Sequence, residues 1–339
     1  MRHAGYGLLL CLLTACDLSS SSLPESEPAS TPAPIVWEEV AAAPLARVEG
    51  QSTVVGGKLY VFGGYTDRSI IPKSFDADVY DPSSDTWTRL PAMPRPLTHA
   101  GTAQDGRNIY LAGGVVGSDD PLEASRVKIP ATTEVWRFDT VTQTWSAMPP
   151  LPEARGAGAL AVLDEELHYF GGTGEDRYQE VGEHWALPLD GSTTWRSLAP
   201  LPNPRNHLAG IVVGNAIYAI GGQHGHNETL VTQASVQRYD PITDTWVERA
   251  SLPYGLGHIS NSTVEVDGLV YIVGGETGSY GSYTDNVLVY NPELDVWSAT
   301  TPYPRPENSL VGGTIGNNIF ITGGSEGSLR TTKGTLVTP

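Results

Sequence analysis

Residues 210–222 read GIVVGNAIYAIGG, two short apolar runs that meet at Gly-Asn and close on a glycine pair. Gly-Asn supplies the positive φ that a two-residue hairpin turn demands, so the stretch predicts two antiparallel strands. The same pattern returns as STVVGGKLYVFGG at 52–64 and TVEVDGLVYIVGG at 263–275. Glycine pairs begin at Gly63, Gly113, Gly171, Gly221, Gly274 and Gly323, in steps of 50, 58, 50, 53 and 49. Tryptophans keep time with them at Trp37, Trp87, Trp145, Trp195, Trp246 and Trp297, in steps of 50, 58, 50, 51 and 51. The interval from each Trp to the next pair is 26 residues in five cases and 28 from Trp246 to Gly274. Two locked series of this period signal an array of like supersecondary units.

An aromatic stands three residues before the pair at Tyr60, Tyr110, Tyr218, Tyr271 and Phe320, and His168 holds that place in the third unit. A third run follows and turns into the Trp strand: VYDPSSDTW, RFDTVTQTW, RYDPITDTW and VYNPELDVW. The third unit departs from this with LPLDGSTTW at 187–195, where Leu189 is read in the aromatic's place. Each unit is thus four short strands, with no 3.6-residue period long enough for a helix. Trp136 and Trp185 fall outside the Trp register and are expected to fill core.

The glycine pair, the turns Tyr80-Asp81-Pro82 and Tyr239-Asp240-Pro241, and the Trp seven residues after that Tyr resemble kelch repeats. The resemblance covers residues 35–339 and implies an all-β fold, a six-bladed β-propeller. The last unit lacks a Trp, whereas Trp37 precedes the first pair without a unit of its own. The strand IVWEEV containing Trp37 is therefore expected to close the last blade, which removes the open edge of a linear array.

Composition bounds the rest. The chain has 339 residues, with 38 acidic against 20 Lys and Arg, and no basic stripe that would grip nucleic acid. The 38 glycines and 26 prolines suit a turn-rich chain. Both cysteines, Cys11 and Cys16, lie in the first 16 residues. Arg2 and His3, the apolar run from Leu8 to Leu13 and the tetrapeptide Leu13-Thr14-Ala15-Cys16 resemble a bacterial lipoprotein signal. Residues 1–15 are read as the signal peptide, Cys16 as the lipid attachment, and 16–34 as a Ser/Pro-rich tether that does not fold. The expected location is the cell envelope, lipid-anchored and facing the periplasm or the outside. The expected state is a monomer.

The kelch resemblance also implies a ligand face, built from the loops entering each inner strand and those following each glycine pair. Counting back sixteen residues from each pair gives Arg47, Leu97, Arg155, Arg205, His258 and Glu307. Fourteen back gives Glu49, His99, Ala157, His207, Ser260 and Ser309, and just after the pairs stand Tyr65, Val115, Thr173, Gln223, Glu276 and Ser325. From these positions the ligand-binding candidates are Arg47, Tyr65, His99, Arg155, Arg205, Asn206, His207, Gln223, His224, His258 and Glu276. Arg and His before an inner strand can instead cap loop carbonyls.

His224 and His226 flank Gly225, with His207 possible as a third imidazole, yet nothing in the spacing forces a closed ligand shell. No metal and no cofactor are therefore assigned. His207 and His224 are expected on an exposed rim, where replacing both leaves stability nearly unchanged. The preferred function is a binding module for a protein or a carbohydrate. The alternative is a carbohydrate-active enzyme of the mutarotase or isomerase kind, similar to the kelch sialic acid mutarotase, with Glu276 and Arg205 or His207 as acid and base. The copper chemistry of galactose oxidase needs a cysteine in the domain, and residues 35–339 have none.

Overall fold

The computed structural model describes Met1 and residues 32–66, 74–117, 130–175, 177–325 and 331–337, with Glu228 as backbone only. Residues 2–15 of the expected signal peptide, Cys16, and all but the last three residues of the expected tether lie outside the described residues. No helix of the described residues is long and apolar enough to cross a membrane.

Six four-stranded antiparallel sheets follow one another along the chain. The first blade is typical: Gln51–Val55, Lys58–Phe62, Ala77–Asp81 and Thr86–Arg89, in that order from inner to outer. The sixth takes its three inner strands from Leu310–Ile315, Asn318–Gly323 and Thr331–Leu336. Its outer strand is Ile35–Val40, paired so that Trp37 faces Gly334. A Cβ on Gly334 would come within 2.5 Å of the Trp37 ring, so this glycine makes room for the closing tryptophan. The ring closes as the Trp series predicts, in an all-β six-bladed propeller.

The repeated residues hold the blades to one another. In each pair the second glycine's N–H donates across the blade boundary, from Gly64 to Leu97 O, Gly114 to Arg155 O, Gly172 to Arg205 O, Gly222 to Leu256 O, Gly275 to Glu307 O and Gly324 to Arg47 O. The first glycine must allow that approach. Gly63 has φ 52°, and a Cβ there would overlap the carbonyl oxygen of Leu97.

At the outer edge, Trp87, Trp195, Trp246 and Trp297 donate their indole N–H to Ala41, Pro149, Ala199 and Ala250 carbonyls of the preceding blade at 2.8–3.0 Å. The Tyr-Asp-Pro turns serve the same seam. Tyr80 and Tyr239 donate to Asp85 and Asp244, whose carboxylates accept the N–H of Ala41 and Ala199. Apolar clusters fill the spaces between blades, with Phe62, Leu97, Ile109 and Phe138 joining the first to the second. Trp185 is buried in such a cluster, and Trp136 is half-buried with its N–H on Glu134.

In the third blade Leu187, not Leu189, takes the buried place that Tyr80 holds in the first. The turn through Gly191 is one residue longer there, which shifts the count from Trp195.

Candidate functional site

The loops before the inner strands and those after the glycine pairs meet on one face. Val48 pairs with Tyr65, Thr98 with Val115, Gly156 with Thr173, Asn206 with Gln223 and Gly257 with Glu276, and Ser325 N–H donates to Asn308 O. The next residue in each unit turns toward the axis with a left-handed backbone: Glu49, His99, Ala157, His207, His258 and Ser309, all with φ between 51° and 55°. Backbone bonds link these positions around the axis, from Ala157 N–H to His99 O, His207 N–H to Ala157 O and Ser309 N–H to His258 O.

The fifth unit corrects the sequence count. His258 stands with Glu49, His99 and His207, while Leu256 takes the place of Arg47 and Arg205. Two extra residues explain both this shift and the 28-residue Trp246–Gly274 interval. They fall in the turn at 260–262, which sends Asn261 across the axis to the first blade, with Nδ2 donating to Gly50 O at 3.0 Å. Asn261 separates the small depression on this face from a channel of about 380 Å³ lined by the inner strands.

Five charged or imidazole side chains converge at the floor of the depression. Glu49 holds His99 Nε2 at 2.8 Å through Oε2 and His258 Nε2 at 3.0 Å through Oε1, and Oε1 is 3.8 Å from His207 Nε2. Glu276 stands 2.8 Å from Nδ1 of His258, and its other oxygen accepts Gly281 N–H at 2.6 Å. The imidazoles also touch, with His207 and His258 centroids 4.1 Å apart and His99 and His207 at 4.9 Å.

Burial works against charge on Glu49, but His99 and His258 outweigh it and hold the carboxyl well below its usual range. Burial likewise opposes charge on His258, and Glu276 and Glu49 together reverse it, raising that imidazole to about 9. His207 goes the other way. Burial first, then the neighbouring His258 and His99, keep it well below the ordinary imidazole value. At neutral pH the floor holds a charged His258 against the Glu49 carboxylate, beside a neutral His207.

The predicted arginines do not reach this floor. Arg47 is buried, with Nε on Gly63 O at 3.0 Å and Nη2 on Asp78 at 2.6 Å. Arg205 is fully buried among the carbonyls of Gly221, Asn203 and Ala219. Arg155 lies over Trp185 and contacts Glu153 and Glu183. All three are buried and spend their guanidinium groups on partners within the fold. Gln223 is buried with Nε2 on Gly225 O, and Tyr65 stacks edge-on against His99.

His224 and His226 part company: His224 bonds Asn203 at 3.1 Å, whereas the His226 ring lies 5.6 Å from that of His207. His207 is 5% exposed, so it belongs to the floor and not to an exposed rim. Its replacement empties a packed cluster, which corrects the expectation of unchanged stability. Glu49 was on the fourteen-back ring in sequence, but its role depends on three other units closing around it.

The KLHDC2/KLHL20/DRC7 Kelch-repeats domain profile matches residues 36–222 and 124–324. A kelch repeat-containing protein of Arabidopsis thaliana is 28% identical over 87% of this chain and 72% of its own length. Kelch-like protein terF of Aspergillus terreus is 29% identical over 76% of this chain, and kelch-like protein 35 of mouse is 27% identical over 79%. The matched segments span 56% and 42% of those two proteins. The solved structure of YjhT superposes with a TM-score of 0.62 at 16% identity, covering 75% of this chain and 84% of that one.

Proposed function

The chain belongs to the kelch-repeat family, and from that premise we propose that it is a binding module, tethered to a membrane through a lipid on Cys16, which takes a protein or glycan ligand on the rim of units three to five. Kelch propellers in general serve as protein-binding modules. The observation that carries the reading for this chain is a rim stitched from unit to unit. Glu180 accepts from both Asn206 Nδ2 at 3.0 Å and Gly225 N–H at 2.8 Å, and Thr232 Oγ1 accepts Gly278 N–H at 2.8 Å. Each of these three loops also presents one large apolar side chain to solvent: Tyr178, Val231 and Tyr280. Loops already ordered lose little entropy on binding, and exposed tyrosines are favoured anchors at interfaces.

The geometry favours binding over sugar chemistry. The depression admits about 30 Å³ of water-sized occupants, against roughly 300–1,000 Å³ for ordinary small-molecule pockets. Arg205, one of the two basic groups offered for the mutarotase-like alternative, is committed to backbone carbonyls, which leaves only His207 beside Glu276 for that reading.

The test is a screen of the full chain in detergent against a glycan array and envelope proteins, repeated with Tyr178→Ser, Val231→Ser and Tyr280→Ser. Affinity for the ligand found is expected to fall about tenfold or more in at least one variant, as for an interface anchor, with thermal stability unchanged. Binding that survives all three at full strength counts against the rim. In the same strain, Cys16→Ser should release the chain from the membrane fraction.

A further inference from the structure

Two acceptor atoms face one another at the axis with no proton between them. Asn206 Nδ2 donates to Glu180, which leaves Asn206 Oδ1 toward His207 and makes Nδ1 the protonated nitrogen of that ring. Nε2 of His207 therefore carries a lone pair, 3.8 Å from Oε1 of Glu49. Such a pair of lone pairs marks the place of a cation. A metal bonded to imidazole at about 2.0–2.1 Å and to carboxylate at about 2.0–2.2 Å spans a gap of this size.

Nε2 of His258 reaches the same oxygen at 3.0 Å, and the three ligand atoms all lie within 4.8 Å of one another. We propose that Glu49 Oε1, His207 Nε2 and His258 Nε2 bind a divalent first-row transition-metal ion, zinc by the character of the ligand set, with a further coordination position open to the depression.

The surroundings are those of metal ligands. A ligating histidine commonly gives its second ring nitrogen to an oxygen that fixes the tautomer. Here Asn206 Oδ1 serves His207 and Glu276 serves His258. These partners are anchored in turn, Asn206 by Glu180 and Glu276 by Gly281 N–H. His99 grips the second oxygen of Glu49 and so orients the carboxylate as a positioning residue. In the metal-free cluster the proton on Nε2 of His258 occupies the cation's place, and the metal displaces it. The space of about 30 Å³ suits an ion with a water or two. This site is independent of whatever ligand the rim takes.

The test uses the full chain, purified in detergent without a histidine tag and stripped with EDTA, titrated with Zn²⁺ by calorimetry. The expected result is one Zn²⁺ per chain, with affinity at least about tenfold weaker in His207→Gln and Glu49→Gln and unchanged in His224→Gln. Absence of stoichiometric binding by the natural sequence overturns the proposal. So does affinity that depends on His224 and not on the axial residues. Should the axial variants fail to fold, X-ray absorption at the zinc edge of the loaded natural chain decides. Two imidazole nitrogens with a carboxylate oxygen uphold the site, and a shell with fewer than two imidazoles overturns it.

Discussion

Replacing Asp78 by Asn is expected to destabilise the propeller by about 3–5 kcal/mol, the cost of leaving a buried charge without its partner. Asp78 is fully buried and holds Arg47 Nη2 at 2.6 Å and Arg89 Nε at 2.7 Å. Arg47 is 2% exposed, so an amide in place of the carboxylate strands a guanidinium away from water. The intact pair is a different matter. Burial raises the Asp78 carboxyl above its ordinary value even though Arg47 pulls it down, so desolvation outweighs the attraction. A double replacement, Asp78→Leu with Arg47→Met, should therefore recover much of what the single variant loses. Thermal unfolding checks both: a fall of roughly 10 °C for Asp78→Asn, partly restored in the double variant. A shift of only a degree or two for Asp78→Asn would mean that Arg47 finds water or another partner.

Acid should unfold this protein through a second buried pair, away from the axis. His168 Nδ1 lies 3.0 Å from His184 Nε2, and His184 Nδ1 donates to Ala199 O at 3.3 Å. Both rings are about 1% exposed. Burial lowers His168 to about 4, and burial with His168 beside it lowers His184 to about 3. In the unfolded chain both titrate near the ordinary imidazole value of about 6.5. The unfolded state therefore binds more protons below that pH, and stability present at neutral pH is lost as pH falls from about 6.5 toward 4 and below. The total is on the order of several kcal/mol, since each tenfold loss of proton affinity on folding is worth about 1.4 kcal/mol.

The variant His168→Tyr with His184→Val restores residues that other blades use in the same register, Tyr60 and Tyr218 for the first and Val135, Val236 and Val287 for the second. Its urea midpoint should fall less steeply between pH 7 and pH 4 than that of the natural sequence. Parallel slopes for the two proteins would show that the pair does not carry the acid response.

The propeller was legible in the sequence because its punctuation is structural: the glycines cross a neighbouring carbonyl, and most of the Trp indoles reach back to the previous blade. Even the closure by Trp37 followed from a Trp left without a unit. The meeting of these loops on one face was legible, and the pairing of Asn206 with Gln223 and of Val48 with Tyr65 follows that count.

What failed was the fate of side chains within the loops. Arg205 has the chemistry of a ligand-binding group, but its distance to three carbonyls is set by the blade and not by its neighbours in sequence. The convergence of Glu49, His207 and His258 required three units to close on one axis. In the fifth unit the register moved by two residues, a change that the long Trp246–Gly274 interval announced without locating.

We propose the stitched rim as the working face of the molecule. Site-specific photo-crosslinking in intact cells tests it most directly, with a photoreactive residue placed at Tyr178 or Tyr280 on the rim and, for contrast, at Ile242 or Leu294 on exposed turns at the opposite ends of the blades. The rim positions should yield a discrete adduct that the opposite turns do not. An adduct from Ile242 or Leu294 with none from the rim would place the working face at the opposite ends of the blades.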